Sequence, residues 1–134
     1  MEINLITTDW NDLIQTAELL KEQWVEVGAR VNINSLSISD IQQNYIRPRE
    51  YEALLFGQTL GANPDLSSFW HSREKKDPGS NLALFGDTET DELIDNGRIE
   101  FDNEKRAELY RNLQEKIVEE LPVIFLYSPE YIYP

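Results

Sequence analysis

Several residue types and motifs are missing from this chain of 134 residues, and each absence excludes a class of chemistry. The chain contains no cysteine, which excludes disulfides, thiolate metal sites and cysteine nucleophiles. Its single histidine, His71, has no second histidine to share a zinc site or a catalytic dyad. We therefore expect His71 to be exposed or hydrogen-bonded to backbone. The glycines form neither a Walker motif nor G-x-G-x-x-G, so no phosphate loop is indicated.

Positive charge is also scarce. Lys and Arg number 12 against 25 Asp and Glu, which gives a formal net charge of −13. Such a surface repels phosphate backbones and anionic lipid headgroups, so neither nucleic acid nor a membrane surface is expected as a partner. No apolar run approaches the length of a bilayer span, and no secretory signal opens the sequence. The opening Met1-Glu2-Ile3 is interpreted as a shortened start.

Acidic residues occur in two clusters that could carry enzyme chemistry. Paired carboxylates serve glycoside hydrolysis or bind calcium. However, the Asp-x-Asp-x-Asp-Gly order of a calcium loop is absent, and charge runs on amphipathic helices are usually solvated faces. An acidic-residue hydrolase is kept as an alternative, and the acidity leaves a protein-interaction module as another. The clusters are Asp87, Glu89, Asp91, Glu92 and Asp95, and Glu115, Glu119 and Glu120.

The first half of the chain alternates strand and helix patterns, with apolar spacing of three and four in the helices. Because such alternation favours right-handed crossovers, we predict one α/β domain over residues 1–134 with a mostly parallel sheet flanked by helices. The predicted elements are a strand at residues 3–6, a helix from Thr8 or Asp9 to about Val27, a strand at residues 30–35, a helix from Ser39 to Ile46 or Arg47, and a strand at residues 51–57.

The second half adds two helices and a further apolar run. One helix begins near Thr88 and carries Leu93, Ile94 and Phe101, with Gly97 weakening it by about 1 kcal/mol relative to alanine. Asp102 is predicted to cap the last helix, which ends before Pro122, and residues 123–127 are predicted to be a buried strand. Two side chains at the centres of helical stripes, Trp24 and Leu113, are predicted to be buried against the sheet.

The stretch from Tyr51 to Trp70 is the part of the chain around which the rest is organised. An apolar strand ends at Gly57, and the following loop contains the turn residues Asn63-Pro64-Asp65. Ligands of open α/β sheets bind at the carboxyl ends of strands, so this loop is a candidate ligand site. A plain surface connection between two elements fits the same residues.

These segments, in this order, resemble the carboxy-terminal lobe of the extracellular solute-binding proteins that feed peptide, oligopeptide and nickel ABC importers. The matching residues are Ala17-Glu-Leu-Leu-Lys-Glu-Gln-Trp24 with Val27-Gly28 and Val31-Asn-Ile33, Tyr51-Glu-Ala-Leu-Leu-Phe-Gly57, Asn63-Pro-Asp65 with Phe69, Gly79-Ser-Asn81, Asp91-Glu-Leu-Ile94, and Arg106 to Gln114 followed by Pro122.

The resemblance implies a lobe of the type II periplasmic-binding-protein class, without enzyme activity or cofactor, that clamps a small solute or peptide against another lobe. Its implied partners are the N-terminal lobe of the same protein and an ABC importer permease. The implied location is extracytoplasmic, in the periplasm or as a cell-surface lipoprotein.

One residue departs from the family. Peptide-binding members place an aspartate near the position of Gly61, where it pairs with the ligand's α-amino group. Glycine offers no charge-assisted bond there, so ordinary peptides with free amino termini are not favoured as ligands, and amides, sugars, opines and metal chelates are open.

The candidate ligand-binding residues follow from the loop and the resemblance. Gln58 and Thr59 are expected to offer hydrogen bonds and Trp70 an apolar wall. Asn81 is expected to support the loop. Arg47 and Arg49 either meet an anionic ligand end or are solvated loop charges, and the second interpretation is favoured. The full set of ligand-binding candidates is Gly57, Gln58, Thr59, Gly61, Asn63 and Trp70.

Overall fold

The computed structural model describes residues 1–59 and 65–130 of the chain. Strands and long helices alternate at first, and two long helices follow. The elements are β1 (Glu2–Thr8), α1 (Asn11–Glu26), β2 (Arg30–Leu36), α2 (Ile38–Ile41) continued by a π-helical turn (Gln42–Ile46), β3 (Ala53–Leu55), α3 (Ser67–Trp70), a 3-10 turn (Ser72–Lys75), α4 (Thr88–Ile99) and α5 (Asn103–Glu120).

The three strands form one parallel sheet in the order β2-β1-β3. Strand β1 is central, and its register pairs Leu5 with Ile33 of β2 and Thr7 with Leu55 of β3. The predicted α/β fold with a parallel sheet is therefore confirmed. All three strands point the same way, so their carboxyl ends lie at one edge of the sheet.

Helix α1 covers the sheet and closes the first hydrophobic core. Ala17 of α1 is fully buried beside Leu5, and Leu13, Leu20 and Trp24 pack around them partly exposed. The predicted stripe is thus confirmed over most of its length, although Trp24 is only partly buried.

The predicted stripe fails at Val27, which is 83% exposed. Val27 lies beyond the end of α1, at its C-cap, and Gly28 then turns the chain with φ +88°. A left-handed glycine directly after a helix is the stop that the sequence predicted. Because the helix ends one residue before the end of its apolar pattern, Val27 no longer shares the buried face.

A second core lies between α4 and α5. Ile94 and Leu113 are fully buried there, with Ile117 beside them and Trp70 and Phe85 packed against the cluster. The predicted burial of Leu113 is confirmed, but its predicted neighbour was wrong. Leu113 packs against α4, not the sheet, because the two C-terminal helices bury their apolar faces on each other.

The predicted strand at residues 123–127 is wrong. The segment has no regular secondary structure, and Ile124 and Phe125 are 69% and 70% exposed. A strand needs a neighbouring strand for its backbone hydrogen bonds, and this segment pairs with none of the three strands in the described part of the chain. The predicted core position at Phe101 was also wrong, since that side chain follows α4 and is 96% exposed.

Helix starts differ from the predicted ones by one or two residues. Thr8 and Asp9 do not cap α1, because Thr8 is the last residue of β1 and Trp10 occupies the N-cap. Ser37, not Ser39, caps α2, and its hydroxyl accepts the N–H of Asp40 at 3.2 Å. Ser37 and Ser39 are each followed three residues later by a polar side chain, so the local sequence does not decide which serine caps the helix.

The two C-terminal helices are capped by aspartates. Asp87 caps α4, one residue before the predicted start, and its Oδ1 accepts the N–H of Thr90 at 2.9 Å. Asp102 caps α5 as predicted, accepting the N–H of Glu104 at 2.9 Å. None of the helices in residues 1–59 and 65–130 combines the length and apolarity needed to cross a membrane.

Candidate functional site

A pocket of about 430 Å³ lies beyond the carboxyl end of β3. Gln58 and Thr59, two of the predicted ligand-binding residues, follow this strand, are exposed and line the pocket. The described residues that line it are Gln42, Ile46, Arg47, Phe56, Gln58, Thr59, Phe69, Asp77, Pro78, Gly79, Ser80 and Leu82.

Three segments form the walls of this pocket. The π-helical turn and Arg47 supply one wall, the residues after β3 supply another, and the loop at residues 77–82 supplies the third. Phe69, from α3, adds an aromatic side chain. The walls combine apolar side chains with amide, hydroxyl and charged groups.

Gln58 joins two of these walls. Its Nε2 donates a hydrogen bond to the backbone oxygen of Ser80 at 2.9 Å. A side chain held in this way is pre-oriented at the pocket edge, which lowers the entropy that a ligand contact would cost. Gln58 therefore both shapes the pocket and presents a polar group to it.

Arg49 fixes the third wall to the first. Its backbone adopts φ +61°, and its guanidinium donates to the carbonyl oxygens of Ile46, of Lys75 at 2.9 Å and of Gly79 at 2.5 Å. Both interpretations offered for Arg49, a ligand contact and a solvated charge, were wrong. The side chain is partly buried and serves the architecture of the pocket.

Tyr51 holds the same loop from the other side. Its hydroxyl donates to the carbonyl oxygen of Leu82 at 2.5 Å. Burial raises the pKa of Tyr51, while the positive charge of Arg49 opposes that rise. The phenol thus stays protonated at neutral pH and remains a hydrogen-bond donor.

Asn81 supports the loop as expected. It is fully buried, and its Nδ2 donates to the carbonyl oxygens of His71 at 3.2 Å and of Phe85 at 2.6 Å. Asn81 therefore connects the loop both to His71 and to the segment that leads into α4.

Trp70 is not brought into the pocket. Its ring packs edge-on against Phe85, with ring centroids 6.3 Å apart, and belongs to the second core. The preceding residue, Phe69, lines the pocket instead. Neighbouring aromatic residues on a short helix point in different directions, so the sequence pair Phe69-Trp70 alone did not show which one faces the pocket.

The remaining candidates divide into two groups. Gly57 is exposed just beyond β3, between the two pocket residues Phe56 and Gln58. Gly61 and Asn63 lie outside the residues that the structure describes.

His71 lies away from the pocket, against α4. It is 8% exposed and hydrogen-bonded to backbone, which is the second of the two alternatives expected for it: Nδ1 accepts the N–H of Arg73 at 3.2 Å. The same ring lies between two carboxylates, with Nδ1 3.1 Å from Asp91 and Nε2 3.5 Å from Asp95. Ser72 joins the 3-10 turn to α4, because its backbone N–H donates to Oδ1 of Asp91 at 2.8 Å.

The acidic clusters serve mainly as helix caps and surface charge. The Thr90 N–H, together with Lys116, lowers the pKa of Asp87 to about 2. In residues 1–59 and 65–130, no group of three or more side chains is arranged to hold a metal ion. Glu115 and Glu119 line a separate depression of about 330 Å³, whose lining residues all belong to α5.

Comparison with known proteins shows what this arrangement is similar to. No protein-family model matches the chain. The oligopeptide-binding protein AppA of Bacillus subtilis is 26% identical over 114 residues, covering 84% of this chain and 21% of AppA. The di/tripeptide-binding protein 3 of Pseudomonas aeruginosa is 29% identical over 112 residues, covering 80% of this chain and 20% of that protein. The chain is a homologue of these peptide-binding proteins.

Solved structures give the same result for the fold. The structure of AppA in complex with a nonapeptide superposes with a TM-score of 0.81 over 90% of this chain, at 23% identity. The periplasmic binding protein DppA of Helicobacter pylori, in complex with the peptide STSA, superposes with a TM-score of 0.77 at 20% identity. The chain spans about one fifth of the length of its curated peptide-binding relatives and 24% of each of these two structures.

Proposed function

We propose that the chain is one lobe of an extracytoplasmic solute-binding protein that captures a peptide for an ABC importer. The observation that carries the proposal is the pocket of about 430 Å³ at the carboxyl end of β3. It occurs in a homologue of peptide-binding proteins, at the edge where open α/β sheets place their ligands.

The chemistry of the walls suits a peptide. Backbone amides need hydrogen-bond partners, which Gln58 and Thr59 offer, and an apolar peptide side chain would find contact surface on Phe56 and Phe69. Such a lining suits a short polar chain with apolar substituents. The similarity to peptide-binding proteins supports binding without turnover as the proposed activity.

The pocket supplies one wall of a larger site. We propose that the N-terminal lobe of the same protein closes over it, as in hinge proteins that bury a ligand between two lobes. The chain alone would then make only part of the contacts while the entropic cost of immobilising the ligand stays the same. We expect the isolated chain to bind peptides no more tightly than about 1 mM, a free energy of about −4 kcal/mol.

The proposed location is the periplasm or the cell surface, where a lipoprotein anchor would hold the protein beside its permease. This follows the periplasmic relative DppA. A chain without cysteine is compatible with an oxidising compartment, since it forms no disulfides there.

Ligand-observed NMR would test the proposal. Saturation transfer from the chain to unlabelled peptides of two to nine residues detects millimolar binding. We expect transfer for wild type, and weaker transfer for Gln58→Ala than for Gln114→Ala, a matched glutamine change on α5. No transfer to any peptide would contradict the proposal.

A parallel turnover panel addresses the hydrolase alternative. Chromogenic glycosides and phosphate esters should remain intact with the chain present. Release of chromophore that scales with protein concentration would favour a hydrolase instead.

A further inference from the structure

The two arginines that flank Pro48 have different roles. The guanidinium of Arg49 donates hydrogen bonds to three backbone carbonyl oxygens, as described above. Arg47 is exposed and lines the pocket. The difference separates a structural cation from one that is available to a ligand.

Arg47 forms no ion pair with any of the described residues. The ion pairs of the described residues use other cations, namely Lys21, His71, Arg73, Arg98 and Lys116. The residues outside the described ranges, 60–64 and 131–134, contain no Asp or Glu. No side-chain carboxylate therefore neutralises this guanidinium, although acidic residues outnumber basic ones 25 to 12 in the sequence.

The charges of the pocket lining are few. Arg47 is its one cation and Asp77 its one anion among the described residues, and the two do not form an ion pair. The neutral groups near them include the side-chain amide of Gln42 and the hydroxyl of Thr59, both of which can donate hydrogen bonds.

We propose that Arg47 binds a carboxylate of the ligand, so that the site prefers peptides with an acidic group at this position. The inference rests on the proposed function and adds the chemical class of the ligand. A guanidinium is always charged and offers a planar fork of donors that matches both oxygens of a carboxylate. The carboxylate belongs either to an acidic side chain or to the peptide C-terminus.

Asp77 acts in the opposite direction. It places a negative charge on the same lining, which repels a bound carboxylate. Replacing it with asparagine removes the repulsion and keeps the size of the side chain. Changes at Arg47 and at Asp77 should therefore shift the affinity for acidic peptides in opposite directions.

Four peptides separate the two sources of the carboxylate: Ala-Glu-Ala and Ala-Gln-Ala, each with a free and an amidated C-terminus. Dissociation constants are measured by NMR titration of the chain. If the side chain is recognised, wild type should bind the glutamate peptides about 2- to 10-fold more tightly than the glutamine peptides, a range set by partly exposed charge pairs. If the C-terminus is recognised, amidation should weaken binding by a similar factor.

The variants identify the residue responsible. R47Q should abolish the preference, R47K should keep part of it, and D77N should increase it. The matched control R111Q removes an arginine of α5 outside this pocket and should keep the preference.

Two outcomes would overturn the inference. Equal binding of all four peptides, or a preference that survives R47Q, contradicts the role of Arg47 while leaving peptide binding intact. Failure of all four peptides to bind contradicts the proposed function itself, and the inference falls with it.

Discussion

Gly97 of α4 lies directly against the aromatic ring of Tyr110 of α5. A Cβ at Gly97 would be 2.5 Å from Cε1 of Tyr110, closer than carbon atoms pack. The sequence indicated only the cost of a glycine inside a helix, about 1 kcal/mol. The structure shows what offsets that cost: the glycine lets the two helices approach around Ile94 and Leu113.

We predict that Gly97→Ala destabilises the fold. The added methyl group must displace the ring of Tyr110, and such overpacking typically costs about 1–3 kcal/mol. Chemical denaturation would measure the change in free energy of unfolding. In a Tyr110→Ala background the same substitution should be neutral or stabilising by up to about 1 kcal/mol. An equal loss in both backgrounds would show that the ring is not the obstacle.

Leu113→Ala should be among the most destabilising changes in α5. The side chain is fully buried between α4 and α5, so truncation removes its transfer free energy and leaves a cavity, at a cost of about 2–5 kcal/mol. Val118→Ala on the same helix is the matched control, since Val118 is 63% exposed and should change stability by less than about 0.5 kcal/mol. Similar losses at the two sites would contradict the helix orientation.

Asp87→Ala should destabilise the chain at neutral pH. Removing an N-cap aspartate typically costs about 0.5–2 kcal/mol. The exposed Glu92→Ala of the same helix serves as the control.

The cost of Asp87→Ala should depend on pH in a defined direction. The pKa of Asp87 is lowered from 3.8 to about 2 in the folded chain. A carboxyl with a depressed folded pKa stabilises above its unfolded value, and that contribution is lost as the pH falls through the folded value. The difference in free energy of unfolding between wild type and Asp87→Ala, measured by chemical denaturation, should therefore shrink as the pH falls from about 4 to about 2. A difference that is constant over this interval would show that the carboxylate charge does not contribute.

Thr59→Ala and Trp70→Ala should have opposite effects on stability and binding. Thr59 is exposed in the pocket lining, so its loss should weaken peptide binding and leave the melting temperature nearly unchanged. Trp70 packs in the second core, so its loss should lower the melting temperature. Calorimetric melting curves and peptide titrations would measure both effects. If the Trp70→Ala chain kept normal stability and bound peptide more weakly, Trp70 would be a ligand contact and not a core residue.

The parts of the fold that were predictable from sequence are those with local periodicity. The alternation of β1, α1 and β2 is encoded in apolar spacing, and Gly28 marks the end of α1 through its own conformational preference. The apolar run at residues 123–127 also has a strand composition, but strand formation depends on a partner edge, which a local pattern does not contain.

The site was predictable only in part for a similar reason. The end of the β3 strand led to Gln58 and Thr59, which line the pocket, and their role in ligand binding stays a prediction. The choice between Phe69 and Trp70, and between Arg47 and Arg49, depends on which side each residue faces after a turn. Long-range contacts decide this, such as the bond from Arg49 to the carbonyl oxygen of Lys75.

A titration of the ¹⁵N-labelled chain with a peptide, followed by two-dimensional amide NMR, tests the central claim most directly. It detects millimolar binding and maps it to residues. We predict concentration-dependent shifts at the backbone amide of Thr59 and at the side-chain and backbone amides of Gln58, with the amides of α5 unmoved. No shifts at about 10 mM peptide, well above the expected dissociation constant, or shifts confined to α4 and α5, would contradict peptide binding at the end of β3.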